Sequence, residues 1–206
     1  MADTRTGRPR DERIDQAVIE ATAKLLNEVG YAKLTFEAVA ARASTSKPAL
    51  RRRWPSRAHL VVDALAAIVG TAPTPDTGCT RCDLVEGIGT LGAAYPVKIG
   101  RTVLPALVAD LAGDPELDRV FLERYFHPRR ATTAEALRRG IERGDIVPDA
   151  DIDLLLDLFG ATVYYRVLFG HLPVDHDVAE RIVDTVLNGV ATPAWRHTHR
   201  EPSRER

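Results

Sequence analysis

Four cations stand within seven residues at Lys47, Arg51, Arg52 and Arg53, followed at once by Trp54 and Pro55. Arginine donates two parallel hydrogen bonds to the edge of guanine, and lysine or arginine neutralises phosphate, so this cluster carries chemistry suited to duplex DNA. Pro48 and Ala49 add apolar surface that fits a thymine methyl group. Thr35, Thr45, Ser46 and Arg57 lie where phosphate contacts fall if the segment folds as short capped helices. Upstream, Arg5, Arg8 and Arg10 form a basic arm able to follow the backbone or enter a minor groove. A charge run by itself is more often a solvated face. Its frame decides between the two readings.

Apolar residues upstream recur at helical spacing: Ile14, Val18, Ala21, Leu25 and Val29 form one stripe of a first helix, and Gly30 suits a left-handed C′ position. Thr35 is a fitting N-cap for a short second helix over 36–43, with Phe36, Val39 and Ala40 inward. A turn at Ala43–Thr45 leads to a third helix, KPALRRRW, capped by Ser46, with Pro48 tolerated in its first turn. At about 100° per residue, Leu50 and Trp54 share one face while Pro48 and Arg52 point away from it. Such a helix is about 10–12 Å long, too short to persist without packing. A helix, a tight turn and a short packed helix with a cationic outer face are the helix-turn-helix arrangement. Ser56 caps a fourth helix running to Gly70.

The charge distribution agrees. Residues 1–60 hold 12 Lys/Arg against 7 Asp/Glu, and the remainder 16 against 22, so a basic first unit joins an acidic larger one although the net charge is only −1. No apolar run approaches the roughly 20 residues that cross a bilayer. The polar N-terminus lacks a secretory apolar core, so a cytoplasmic protein is expected. After a Pro/Gly connection at 71–80 come five helical stretches, near 81–95, 99–112, 115–143, 151–171 and 175–188. Pro105 and Pro128 are expected to kink or split theirs. The fold class expected is all-α: residues 1–58 as a three-helix DNA-binding unit with its arm, 59–190 as a larger helical unit, and 191–206 as a tail.

LTFEAVAARASTSKPALRRRWPSRAHLV resembles the DNA-binding segment of the TetR/AcrR family of transcriptional regulators. The resemblance covers about residues 11–65, through Thr35, Glu37, Val39-Ala40-Ala41, Ser46-Lys47, Leu50, Trp54, Pro55-Ser56-Arg57 and Leu60-Val61. Two positions depart from the family pattern: Ser44 stands where glycine is usual, and Arg51 where an aromatic residue touches phosphate. The resemblance implies a homodimer whose two recognition helices meet successive major grooves about 34 Å apart on an inverted repeat. The dimer would form through the helices near 151–171 and 175–188, with Leu155, Phe159, Thr162, Tyr165, Val167 and Phe169 as candidate contributors, some of them facing the monomer's own core instead. It also implies a small-molecule effector in the helical unit that releases DNA by population shift, with the fourth helix as hinge. Candidate pocket residues are Tyr95, Leu104, Leu107, Leu122, Tyr125, Phe126, Phe159 and Tyr164, with Arg124, Arg166 and His127 as polar contributors. No cofactor, metal or catalytic residue is expected.

Other patterns carry less. Cys79-Thr-Arg-Cys82 has metal or redox spacing, but no second pair completes a zinc site and no βαβ context surrounds it, so coincidence is the favoured reading. GIGTLG at 87–92 lacks a preceding strand. Two rival functions remain: a protein that coats DNA without sequence preference, and a helical enzyme with an incidental basic face.

Overall fold

The computed structural model describes residues 12–69, 73–94 and 102–188, and every regular element among them is helical. The arm residues Arg5, Arg8 and Arg10, and the pocket candidate Tyr95, lie outside the described residues. Helix α1 (Glu12–Lys33) buries Val18, Ala21, Leu25 and Leu26. Gly30 interrupts it at φ 76°, ψ 173°. That is the mirror-image extended region, open almost only to glycine, rather than the left-handed helical C′ conformation expected. A further turn then carries the chain through the buried Tyr31 to Lys33.

Thr35 caps α2 (Phe36–Arg42), its Oγ1 accepting the Ala38 N–H at 3.2 Å. The chain then turns through Ser44 at φ 51°, the position where glycine would adopt the same conformation at lower cost. Ser46 Oγ accepts the Ala49 N–H at 3.3 Å and opens α3 (Lys47–Arg51). This helix is five residues long, shorter than the eight expected. Arg53 N–H and Trp54 N–H both close on the Leu50 carbonyl at 2.9 Å, tightening the last turn so that Trp54 swings into the core. Helix α4 (Arg57–Val69) is buried on most sides and packs on α1, α5, α7 and the turn that follows α7. It is the shared wall of both halves, and a single apolar core runs continuously from α1 to α10.

The larger half contains α5 (Thr80–Ala94), α6 (Val103–Leu111), α7 (Pro115–Phe121), α8 (His127–Glu142), α9 (Ile152–Phe169) and α10 (His176–Asn188). Asp114 caps α7 ahead of Pro115, accepting the Glu116 and Leu117 N–H groups, and Asp151 caps α9 by accepting that of Leu154. The two interior prolines behave differently. Pro105 falls in the first turn of α6, where no intrahelical donor is needed, so it splits nothing. Pro128 lacks the N–H that the Arg124 carbonyl would accept, and the chain just before it widens into a π-helical turn, Leu122–Phe126, with His127 N–H bonded to the Leu122 carbonyl five residues back. Among the described residues no helix is long and apolar enough to cross a membrane.

Replacing Gly30 by alanine should lower the unfolding free energy by about 1–3 kcal/mol, because the Cβ forbids the observed conformation; urea unfolding followed by circular dichroism measures this.

Candidate nucleic-acid interface and effector cavity

Helix α3 is held by its inner face. Leu50 and Trp54 are buried, and the Trp54 indole Nε1 donates to Asp63 Oδ2 of α4 at 2.7 Å. Arg53 turns inward as well: its Nε lies 2.5 Å from Asp15 Oδ1 of α1, both side chains being mostly covered. This corrects the expectation that all three consecutive arginines face DNA. Lys47 pairs with Glu37 of α2, whose carboxyl is held below its usual range chiefly by that hydrogen bond. Arg42 bonds Glu28 at 2.6 Å and ties α2 to α1.

The outer face then carries the exposed side chains of Ser46, Pro48, Arg51 and Arg52, with Thr45, Lys47 and Ala49 half-buried at its rim and Thr35 exposed at the start of α2. Arg57 is engaged elsewhere. Its Nη1 donates to the carbonyls of Ala32 and Leu34, at 3.1 and 3.5 Å, and its guanidinium lies 4.9 Å from the centre of the Tyr31 ring. Arg57 thus ends α1 rather than standing out from the surface. The Tyr31 hydroxyl donates to Asp110 Oδ2 of α6 at 2.5 Å. Burial and that carboxylate hold the phenol protonated far above its ordinary range.

The chain belongs to the TetR family of transcriptional regulators. Residues 18–64 match the family described as "Bacterial regulatory proteins, tetR family", and 74–186 match "Tetracyclin repressor-like, C-terminal domain". The chain is 34% identical to the TetR family transcription regulator SCO0332, whose crystal structure it matches with a TM-score of 0.76 over 87% of this chain and 100% of that one. It is 30% identical over 188 residues to the HTH-type transcriptional regulator YdeS of Bacillus subtilis, covering 91% of this chain and 94% of YdeS. To the DNA-binding transcriptional repressor TetR of Mycobacteroides abscessus it is 29% identical, over 91% of this chain and 98% of that protein. The family comprises regulators rather than enzymes, which removes the enzymatic alternative.

The helical half holds a half-open cavity of about 310 Å³ between α5, the π turn with α8, and α9. Ile88 and Leu91 line it from α5; Phe126, Arg129, Arg130 and Thr133 from the second wall; Leu156, Asp157, Phe159 and Tyr164 from the third. Of the residues expected there, Phe126, Phe159 and Tyr164 do line it. Leu104, Leu107 and Tyr125 are buried in the core and Leu122 packs against it. The Tyr125 hydroxyl sits 3.4 Å from that of Tyr164. His127 is exposed and absent from the cavity wall, and Arg166 donates to the Pro173 carbonyl. Arg124 also points elsewhere: its Nη1 donates to both oxygens of Asp63, at 2.9 and 3.0 Å.

Sequence reasoning missed Asp15, Asp63, Arg129 and Arg130. Only Asp63 left a trace, as the sole acidic residue in the apolar run of α4. Arg129 donates to the Gly87 carbonyl and to Thr132 Oγ1, while Arg130 pairs with Asp153 and Asp157.

Replacing Asp15 by alanine should lower the unfolding free energy by about 2 kcal/mol, since it strands the covered Arg53 charge. Replacing Arg52 by alanine should move it by less than about 0.5 kcal/mol. Thermal unfolding of the two variants distinguishes the inward arginine from the outward one.

Proposed function

We propose that this regulator is a homodimeric repressor that holds an inverted-repeat operator with α3 and releases it when a small molecule enters the cavity. Residues 1–58 with their basic arm serve as the DNA-binding unit, 59–190 as the effector and dimer unit, and 191–206 as a tail. Arg51 and Arg52 supply the cationic contacts, Pro48 and Ala49 the apolar ones, with Thr35, Thr45, Ser46 and Lys47 along the phosphates; Arg5, Arg8 and Arg10 reach the flanking DNA. Arg53 acts behind the interface, setting the tilt of α3, and Arg57 fastens the end of α1. The name of the Mycobacteroides abscessus relative supports the sign of regulation. A cytoplasmic location fits this reading, since a bacterial regulator works beside the chromosome.

The observation that carries the effector reading is the π turn. Phe126 of that turn lines the cavity, and Arg124, two residues earlier, grips Asp63, whose other contact is the Trp54 indole at the end of α3. A ligand that displaces Phe126 shifts Arg124 and thereby the carboxylate holding the recognition helix. It biases the operator-binding population by its differential affinity for the two arrangements.

Helix α9 supports the dimer. Leu156, Phe159, Val163 and Val167 are buried in its own chain, whereas Leu154, Leu158, Tyr165, Leu168 and Phe169 form an exposed apolar stripe. Phe159 and Val167 therefore drop out of the contributors expected at the interface, and Leu155 and Thr162 sit at its edge. An apolar face of this kind on a helix is covered by a twin helix in an isologous contact.

Three measurements test the reading. Selected palindromic DNA should bind far more tightly than its scrambled form, and Arg51→Ala with Arg52→Ala should weaken it at least about tenfold while leaving the fold intact; equal affinity for both DNAs means non-specific coating. Light scattering should give a dimer, and Tyr165→Glu with Phe169→Glu a monomer. Arg124→Ala should keep operator binding but blunt release by a screened effector; an undiminished response removes the relay.

A further inference from the structure

Cys79 and Cys82 are bonded as a disulfide, against the coincidence expected from their spacing. A protein that works on chromosomal DNA sits among reducing thiols, where disulfides are typically transient, catalytic or sensory rather than structural. The pair also has the local setting of exchangeable cysteines. Cys79 stands at the start of α5, where its Sγ accepts the Cys82 N–H at 3.2 Å, and Cys82 is exposed while Cys79 is half-covered. A helix N-terminus stabilises a thiolate at that position.

Three parts of the molecule converge on this one turn. The segment arriving from α4 is fastened beside it: Thr77 donates through its N–H and hydroxyl to the fully buried Asp83, and Arg139 of α8 donates to the Thr74 and Pro75 carbonyls. Between the cysteines, the Thr80 hydroxyl donates to Asp145 at 2.6 Å beyond the end of α8. Arg81, also between them, forms a two-pronged pair with Asp184 of α10, at 2.6 and 2.9 Å. Two turns further along, α5 supplies the cavity residues Ile88 and Leu91.

We propose that Cys79 and Cys82 are a redox site that exchanges with low-molecular-weight disulfides and sets operator affinity through this junction. In oxidation the exposed Cys82 thiolate attacks a disulfide RSSR, forming a mixed disulfide and releasing one thiolate. Cys79 then attacks the Cys82 sulfur and expels the second. The two protons lost by the cysteines pass to the two leaving thiolates, so one protein dithiol and one RSSR give one protein disulfide and two RSH. Reduction reverses the order: an incoming thiolate attacks Cys82, and Cys79 departs as the thiolate favoured by the helix N-terminus. The bond closes the first turn of α5 on itself and fixes the end of the α4–α5 connection. Opening it loosens the first turn of α5, a helix that packs on both α8 and α4, and α4 carries the Asp63 that holds Trp54. This input is separate from the effector proposed above.

The test equilibrates the full chain in buffers of graded glutathione and glutathione disulfide, with acid quenching, alkylation and intact mass measurement. The expected result is a reversible transition between dithiol and single disulfide, with Cys79→Ser accumulating one glutathione on Cys82 and Cys82→Ser accumulating far less on Cys79. Serine keeps a capping oxygen at residue 79, and circular dichroism verifies that each variant is folded. Binding to a selected operator fragment should differ about fivefold or more between the two wild-type states and be indifferent to the same buffers in the doubly substituted chain. A pair that stays wholly oxidised or wholly reduced across the series overturns the proposal, as does equal operator affinity in both wild-type states.

Discussion

The packing of Leu50 and Trp54 is the constraint on which the rest depends. A helix of five residues has no independent stability, since nucleation alone outweighs the few backbone bonds it makes. It persists because its inner side chains are buried and because Asp63 accepts from the Trp54 indole and Asp15 pairs with Arg53. Those contacts fix both the position and the rotation of the helix, and rotation decides which cations face outward. Of three consecutive arginines, two face outward and the third becomes part of the mounting.

The same constraint joins the two halves of the molecule. Asp63 belongs to α4, which is walled in by α1 on one side and by α5, α7 and the π turn on the other. Its carboxylate is shared between the end of the recognition helix and Arg124, so neither half moves without disturbing the other's hydrogen bonds. Tyr31 and Asp110 make a second bridge, between α1 and α6. With one continuous core beneath these polar links, the cavity and α3 are joined through packed elements rather than through a loose linker. The extra residue of the π turn re-aims side chains, so that Arg124 meets Asp63 while Phe126 lines the cavity.

The helical domain divides its apolar surface by the same logic. Helix α9 is apolar on opposite sides: one side fills its own core and borders the cavity, and the other lies bare. Periodicity counts apolar residues without saying which neighbour each one meets. Phe159 and Val167 therefore looked like interface residues in the sequence, although the turn of the helix buries them in their own chain.

The sequence by itself determined the elements and their order. Thr35 and Ser46 mark helix starts because their short side chains satisfy backbone donors within three residues, a local matter that needs no fold. Leu50 and Trp54 identify the inner face of α3 because helical spacing is also local, and the motif around them was enough to give the family. The tertiary structure alone decided the inward turn of Arg53, the pairing of Arg124 with Asp63 away from the cavity, the cavity's Arg129 and Arg130, and the junction around Cys79 and Cys82. Each depends on partners distant along the chain, such as Asp15 for Arg53 and Asp63 for Arg124. A charged side chain takes its role from the groups that packing brings to it, and those groups leave no periodic mark in the order of residues.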